Sequence, residues 1–457
     1  AAAFHAGPAV IISFLIAGIV CGAAVMCYAE FASMIPVAGS AYTFTYTTVG
    51  EIMAWIIGWD LILEMLMAGS VISKYWGVYL NDFMRLMGWN ANTNLTFGSF
   101  HIDIAPIIIV AFFTTLLVFG TKIGARVDGA MTVLKIAIVF FVVIVGFFYV
   151  KASNFTPFIP PSQPASTVEG SSAVTGVMTQ PLWQFATGMT PSVYGVPGIL
   201  SGAALVFFAF IGFDVVATAS EETKNPHKNV PLGIGVGMLL IIVMYMLVAV
   251  VTTGMVSYAD LAKQDSPSLA TAFELVGADW AAKIISFGIV LGLATVVMVL
   301  LLGLTRIVFA MSRDGLLPRG LSKTGKHGTP AALQIVVGAV VALVAAFFDI
   351  GVLSDMVNIG TLSAFTLVAI SIPIMRKKRP DLPRAFKMPG SPWIPILIAV
   401  ANFWLMLNLS VLTWIRFVVW LVVGFAIYFG YGYWHARLGK GDLTETLSAE
   451  TDKAVNG

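Results

Sequence analysis

Charge is scarce in this 457-residue sequence: 11% of residues are charged, 58% are hydrophobic, and mean hydropathy is +0.92. Soluble domains carry about 25% charged residues, so this composition excludes a water-soluble globular protein. Cysteine is nearly absent. Cys21 and Cys27 stand six residues apart in one apolar run, on nearly opposite helix faces, and read as small packing residues without disulfide or metal. The five histidines are scattered, with no H-E-x-x-H or C-x-x-C pattern, so no metal or other cofactor is expected. There is no G-x-x-x-x-G-K-[ST] loop, which speaks against a primary pump, and no Ser/His pair to support a membrane enzyme. The net charge of +2, without a basic stripe and interleaved aromatics, gives no sign of nucleic-acid binding.

What is abundant is apolar sequence in pieces of about 20 residues, the length that crosses a roughly 30 Å hydrocarbon core. Eleven spans are predicted, at 8–34, 52–80, 103–120, 128–150, 197–221, 230–257, 281–310, 331–349, 352–375, 392–410 and 412–434. Alternate links are basic: Lys122 and Arg126; Lys224 and Lys228; Arg313, Arg319, Lys323 and Lys326; and "MRKKRPDLPRAFK" at 375–387. The intervening links carry little more than Arg85, Lys151, Lys263 and Arg416. The positive-inside rule then puts the basic links and a tail at 435–457 in the cytoplasm of a multi-pass plasma-membrane protein. The first residue falls outside the cell on this reading. With no initiator Met or signal peptide in "AAAFHAGPAV", a preceding helix is expected to be missing from the sequence supplied. One exterior segment, 154–196, is rich in Pro, Ser, Thr and Gly and reads as a flexible loop, with a lid over an outer vestibule as the sharper alternative. A second, "YADLAKQDSPSLATAFELVGADW", has helical periodicity and is expected to lie over the outer face.

The span at 197–221 is interrupted by "FFAFIGFDVV", residues 207–216. In hydrocarbon, non-helical backbone survives only where protein buries it or where it lines a wet cavity. Gly212 permits unusual dihedrals, and Asp214 can cap a new helix starting at Val215. Two half-helices would then meet near mid-membrane, with carbonyls around Phe208, Ala209 and Ile211 facing N–H groups. Carbonyls suit an ammonium and N–H groups a carboxylate, so a zwitterion such as a free amino acid fits both. The plainer alternative is a kink at Gly212 with Asp214 bonded to a neighbour; the expense of a mid-membrane carboxylate favours the site.

"GFDVVATASEETKNPHKNVPLGI" (212–234) resembles the sixth-helix signature of the amino acid–polyamine–organocation superfamily, in particular the cationic amino acid transporters and their bacterial proton-coupled relatives. "CYAEFASMIPVAGSAYTFTYTTVGE" (27–51), "LTRIVFAMSRDGLLPRGLSK" (304–323) and "RAFKMPGSPWIP" (384–395) resemble further stretches of that family, in the expected order. The resemblance implies an all-α membrane protein of two inverted five-helix repeats plus two helices, with helices one and six broken. Residues 1–457 would form a single transporter domain holding helices two to twelve, and the absent first helix would hold the substrate carboxylate. Lys135 matches the fifth-helix lysine that replaces sodium in proton-coupled members; snorkelling to the interface is its alternative. Met298 matches the residue at the far end of the side-chain pocket. Being long and apolar, it would disfavour arginine and lysine and suit neutral substrates from alanine to branched-chain residues; ordinary packing is its alternative. Phe208, Ile211 and Phe213 would form the apolar wall.

Asp60 and Glu64 share a helix face. Asp60 is expected to pair with a basic loop residue, and Glu64 to titrate, to meet a substrate ammonium, or to sit protonated against a neighbouring helix. Glu30 and Arg306 read as gate or ion-pair residues. The leading function is a proton-coupled amino acid permease with amino acid, proton and lipid partners, expected as a monomer. Cationic uptake, exchange and a channel are the alternatives.

Overall fold

The computed structural model describes residues 2–34, 42, 45–46, 50–89, 93–97, 100–120, 124–167, 176–212, 225–264, 268–325, 329–378, 380, 384 and 386–436. Apolar helix dominates them, because a backbone in hydrocarbon must satisfy its polar groups within its own segment. A helical lead-in at Ala2–Ala6 and a 3-10 turn at Gly7–Ala9 run into α1 (Val10–Met34). Then come α2 (Glu51–Leu86), α3 (Ile104–Phe119), α4 (Gly124–Phe147) and α5 (Gly195–Val206). The second half holds α6 (Pro226–Met255), α7 (Asp279–Arg313), α8 (Ala331–Phe347), α9 (Ile350–Lys378), α10 (Trp393–Leu407) and α11 (Val411–Ile427). Among the described residues seven of these are long and apolar enough to cross a membrane, and four are shorter apolar helices. They fall on the eleven expected spans, and the protein is an all-α, multi-pass membrane protein.

The helices differ in what surrounds them. The most apolar stretch of α2 is 78% buried, that of α4 11% and that of α6 22%. Accordingly α2 runs through the middle, packed against α7 and α9, while α4 and α6 turn most of their surface outward. Two indoles fix α11 to α2: Trp59 Nε1 donates to the Trp420 carbonyl at 2.9 Å, and Trp420 Nε1 returns a bond to the Trp59 carbonyl at 3.3 Å. The rings stack at 4.4 Å, and any side chain on Gly424 would collide with Trp59.

At the basic end, Glu30 is fully buried and gathers several donors. Arg376 binds it in bidentate fashion, Nε to Oε1 at 2.9 Å and Nη2 to Oε2 at 2.6 Å. The Met388 amide donates to Oε2 at 2.7 Å, and Arg384 Nε lies 3.6 Å from Oε1. Beside this cluster, the Tyr42 hydroxyl donates to Asp314 Oδ2 at 2.9 Å. Burial, and then the charge of Asp314, push the Tyr42 phenol well above its ordinary pKa.

At the opposite end the chain is more structured than its composition predicts. The described part of 154–196 carries a helix at Leu182–Thr187 and a strand pair, Gln163–Pro164 with Ser192–Val193. Its backbone bonds to two links: Tyr194 N–H to the His5 carbonyl at 2.7 Å, and Leu182 N–H to the Leu409 carbonyl at 2.9 Å. A hairpin of Asn94–Phe97 with Phe100–Asp103 precedes α3. The second exterior segment forms two short helices, Tyr258–Ala262 and Leu269–Leu275, each with a serine N-cap, Ser257 and Ser268.

Candidate functional site

The described helix ends where the break is expected. After Val206 the helix tightens into a 3-10 turn over Phe207–Phe210; Ile211 is extended, and Gly212 has φ +114°, open to glycine and strained for other residues. Among the described residues no atom lies within 4 Å of the position of a Gly212 side chain, so the positive φ is what favours glycine here. Phe208, Ala209 and Ile211 are half-buried at this end, while Phe207 and Phe210 are buried. Phe213 and Asp214, and with them the second half-helix, lie outside the described residues.

Small residues hold the half-helix in place. Gly198 sits against the His5 carbonyl and Gly202 against Ser13, while Ser13 Oγ donates to the Ile199 carbonyl at 2.8 Å. Side chains at the two glycines would separate α5 from the lead-in helix and from α1. The carbonyls that the sequence leaves open for a ligand have donors within the protein. Ile211 N–H donates to the Phe208 carbonyl at 3.3 Å, Tyr245 of α6 donates its hydroxyl to the Ala209 carbonyl at 2.6 Å, and Cys21 Sγ approaches the Phe210 carbonyl at 3.9 Å. Each carbonyl oxygen has a second lone pair, so a ligand ammonium is not excluded. Behind the turn, Phe14, Phe210 and Tyr245 form a three-ring cluster with centroids 5.2 to 6.5 Å apart.

Lys135 lies on α4, half-buried, with its aliphatic stem across Gly292 of α7. A methyl group at Gly292 would stand 3.1 Å from Lys135 Cγ and 3.6 Å from Cε. Met298 is six residues further along the same helix, about 9 Å by helical rise, half-buried against the main core. The structure therefore sets Lys135 and Met298 along one helix. It does not bring Met298 to the break through a major helix contact: α5 packs chiefly on α1 and the lead-in helix Ala2–Ala6, and α7 chiefly on α2 and α4. Helix α2 touches both α7 and α9 and carries Asp60 and Glu64, both fully buried.

Asp60 takes a partner that the sequence does not suggest. Ser363 of α9 donates to its Oδ2 at 2.6 Å, in place of a basic loop residue, and Oδ1 has no hydrogen bond among the described residues. Gly360, one turn earlier on α9, lets that helix approach the Asp60 carbonyl. Ser363, Tyr245, Cys21 and Gly292 were not legible as site residues. Each is an ordinary small or aromatic residue in an apolar helix, and only tertiary packing shows which neighbour it serves. Among the described residues no cluster of His, Cys, Asp and Glu could hold a metal ion.

Comparison with known proteins agrees with this arrangement of helices. The sequence profile of the amino acid permease family matches residues 1–431. The branched-chain amino acid permease BcaP of Bacillus subtilis is 42% identical over 446 residues, covering 96% of this chain and 89% of that protein. The methylthioribose transporter of the same organism is 39% identical with the same coverage. The mitochondrial cationic amino acid transporter 3 of Arabidopsis thaliana is 37% identical over 379 residues, covering 81% of this chain and 57% of that protein. A profile matched from the first residue to the end of the last apolar helix leaves one conclusion: this chain belongs to the amino acid permease family.

Proposed function

We propose that the protein moves neutral amino acids across the plasma membrane by proton-coupled alternating access, with its basic links and tail in the cytoplasm. The observation that carries this reading is the end of α5 against the apolar core, where a 3-10 turn leads to a positive-φ glycine at the expected break. Such a break exposes backbone dipoles at membrane depth, which a zwitterion needs and a packing helix does not. In this proposal Phe208, Ala209, Ile211 and Gly212 contribute backbone and wall to the substrate site, with Asp214 capping the following half-helix. Glu64 lines the cavity, and the eleven helices correspond to helices two to twelve of a two-repeat transporter.

The choice of neutral substrates rests on Met298, which offers no partner to a guanidinium, and gains support from the likeness to a branched-chain permease. Lys135 would carry the coupling. A half-buried lysine with its stem against Gly292 of α7 holds its proton more tightly in whichever state gives the ammonium carbonyl or carboxylate partners, so the proton is released and regained as the bundle rocks. Replacing Lys135 with Ala is expected to abolish gradient-driven uptake in a protein that still folds.

The likeness to a methylthioribose transporter supports a second reading, an uncharged thioether sugar as substrate. One experiment addresses both. Full-length protein in liposomes is given labelled leucine, valine, alanine, arginine and methylthioribose, with and without an inward proton gradient. Gradient-stimulated uptake of the neutral amino acids with arginine excluded is the expected result. Arginine uptake would refute the Met298 assignment, and uptake of methylthioribose alone would favour the second reading. Uptake that ignores the gradient but requires amino acid on the far side would make the protein an exchanger.

A further inference from the structure

Away from the helix break, a cavity of about 530 Å³ opens where the ends of α4 and α6 opposite the basic links meet the short helices 258–262 and 269–275. Its walls carry both charge signs and aromatic rings: Phe148, Tyr149, Lys151, Asn154, Ser257 and Asp260. The floor is fixed by backbone. Lys151 N–H and Asn154 Nδ2 both donate to the Gly254 carbonyl, at 2.9 and 2.7 Å, which ties the chain leaving α4 to the end of α6. Asp260 is held from one side, by Ser257 Oγ at 2.8 Å and by Lys263 at 3.6 Å. A carboxylate accepts about four hydrogen bonds, so it retains capacity toward the cavity. The Lys151 ammonium has no ion-pair partner within 4.0 Å among the described residues.

The geometry points to a binding site for the head group of a zwitterionic phospholipid, with the phosphate on Lys151 and the head-group ammonium on Asp260. Three observations commit the site to a lipid. First, its two principal walls are the helix ends that bury least: the most apolar stretches of α4 and α6 are 11% and 22% buried. Second, α4 presents Ile144, Phe147 and Phe148 outward at 59, 69 and 81% exposure, an apolar track leading to the rim where acyl chains would lie. Third, Tyr149 stands where this track meets the charges, the level at which amphipathic rings settle in membranes. Opposite charges in one lining favour an ammonium-bearing head group over a purely anionic one. None of these residues belongs to the helix break or to the contact of Lys135 with α7.

The test uses delipidated full-length protein and native mass spectrometry with dioleoylphosphatidylethanolamine, the corresponding phosphatidylglycerol, soluble glycerophosphoethanolamine, and leucine. The expected result is preferential retention of phosphatidylethanolamine. Lys151→Ala and Asp260→Asn should each reduce it about tenfold, the loss of one charge-assisted contact. Lys151→Arg should restore retention, and Lys323→Ala at the basic end should leave it unchanged, which separates a lost contact from a misfolded protein. Equal or greater retention of phosphatidylglycerol would overturn the zwitterionic assignment. Wild-type retention by both variants would overturn the site. Binding of the soluble head group or of leucine as strong as that of the lipid would make it an aqueous zwitterion site and overturn the lipid assignment.

Discussion

Gly292 gives the sharpest test of how Lys135 is held. A methyl at this position would lie 3.1 Å from Lys135 Cγ, so the stem must yield by a few tenths of an ångström. A lysine has four rotatable bonds with which to do so, and Gly292→Ala should cost less than about 1 kcal/mol. That is at most about a fivefold loss in uptake rate, with coupling intact. Gly292→Leu is different in kind, because three further carbons would occupy the volume of the stem itself. Overpacking of this sort costs about 1–3 kcal/mol if every group stays in place. Swinging Lys135 off α7 relieves it, so the protein should fold with nearly unchanged thermal stability while the ammonium leaves its position. In proteoliposomes Gly292→Leu should then lose at least about tenfold of its gradient-stimulated accumulation, a penalty of about 1.4 kcal/mol. Its melting temperature, read by intrinsic fluorescence, should stay near that of the parent. Full pH-driven accumulation by Gly292→Leu would refute the argument, since the contact with α7 would then be dispensable for coupling.

Other perturbations follow from the same geometry. Gly212→Val meets no steric neighbour among the described residues, and about 1–3 kcal/mol of backbone strain at φ +114° should be seen as a raised KM for leucine with normal yield of folded protein. Tyr245→Phe keeps the ring cluster but removes the 2.6 Å bond to the Ala209 carbonyl; a loss of about 1 kcal/mol should appear in thermal melting, and Tyr245→Leu should cost more. If Met298 has the proposed pocket role, Met298→Ser should admit arginine as a competitor of leucine uptake; unchanged exclusion of arginine would count against that role. Ser363→Ala should leave both oxygens of the buried Asp60 carboxyl without the Ser363 bond, destabilising the protein by about 1–3 kcal/mol unless the aspartate is also changed to Asn.

The spans and the break were legible because both are written locally. An apolar run of fixed length reports a membrane helix, and a glycine two residues before an aspartate inside one suggests an interruption. The helix ends agree with the sequence reading to within a few residues at most spans, from α2 at Glu51 to α11 at Val411. What surrounds the break was hidden for the opposite reason. A tyrosine in an apolar helix carries no mark of the carbonyl it will cap, so Tyr245 read as one more apolar-helix aromatic. Asp60 is instructive: a charge near a helix end suggested a basic partner, but the close approach of α9 at Gly360 delivered a serine instead. The structured part of 154–196 was missed because its Pro, Ser and Gly content reports turns, while its order comes from backbone bonds to distant links.

Glu30 has a consequence for how such a molecule can move. One fully buried carboxylate binds the side chain of Arg376 on α9, the main chain at Met388, and lies beside Arg384. Pulling α1 away from α9 at this end would strand a charge in a low-dielectric environment, a penalty of roughly 3–5 kcal/mol, far above thermal energy. A hinge cannot be placed there. These ends of α1 and α9, together with Arg384 and Met388, should travel as one rigid block whenever the protein changes shape, and flexing has to be found elsewhere along these helices. The glutamate thus acts as a rivet, and it confines the allowed motions to those that leave this corner of the molecule undeformed.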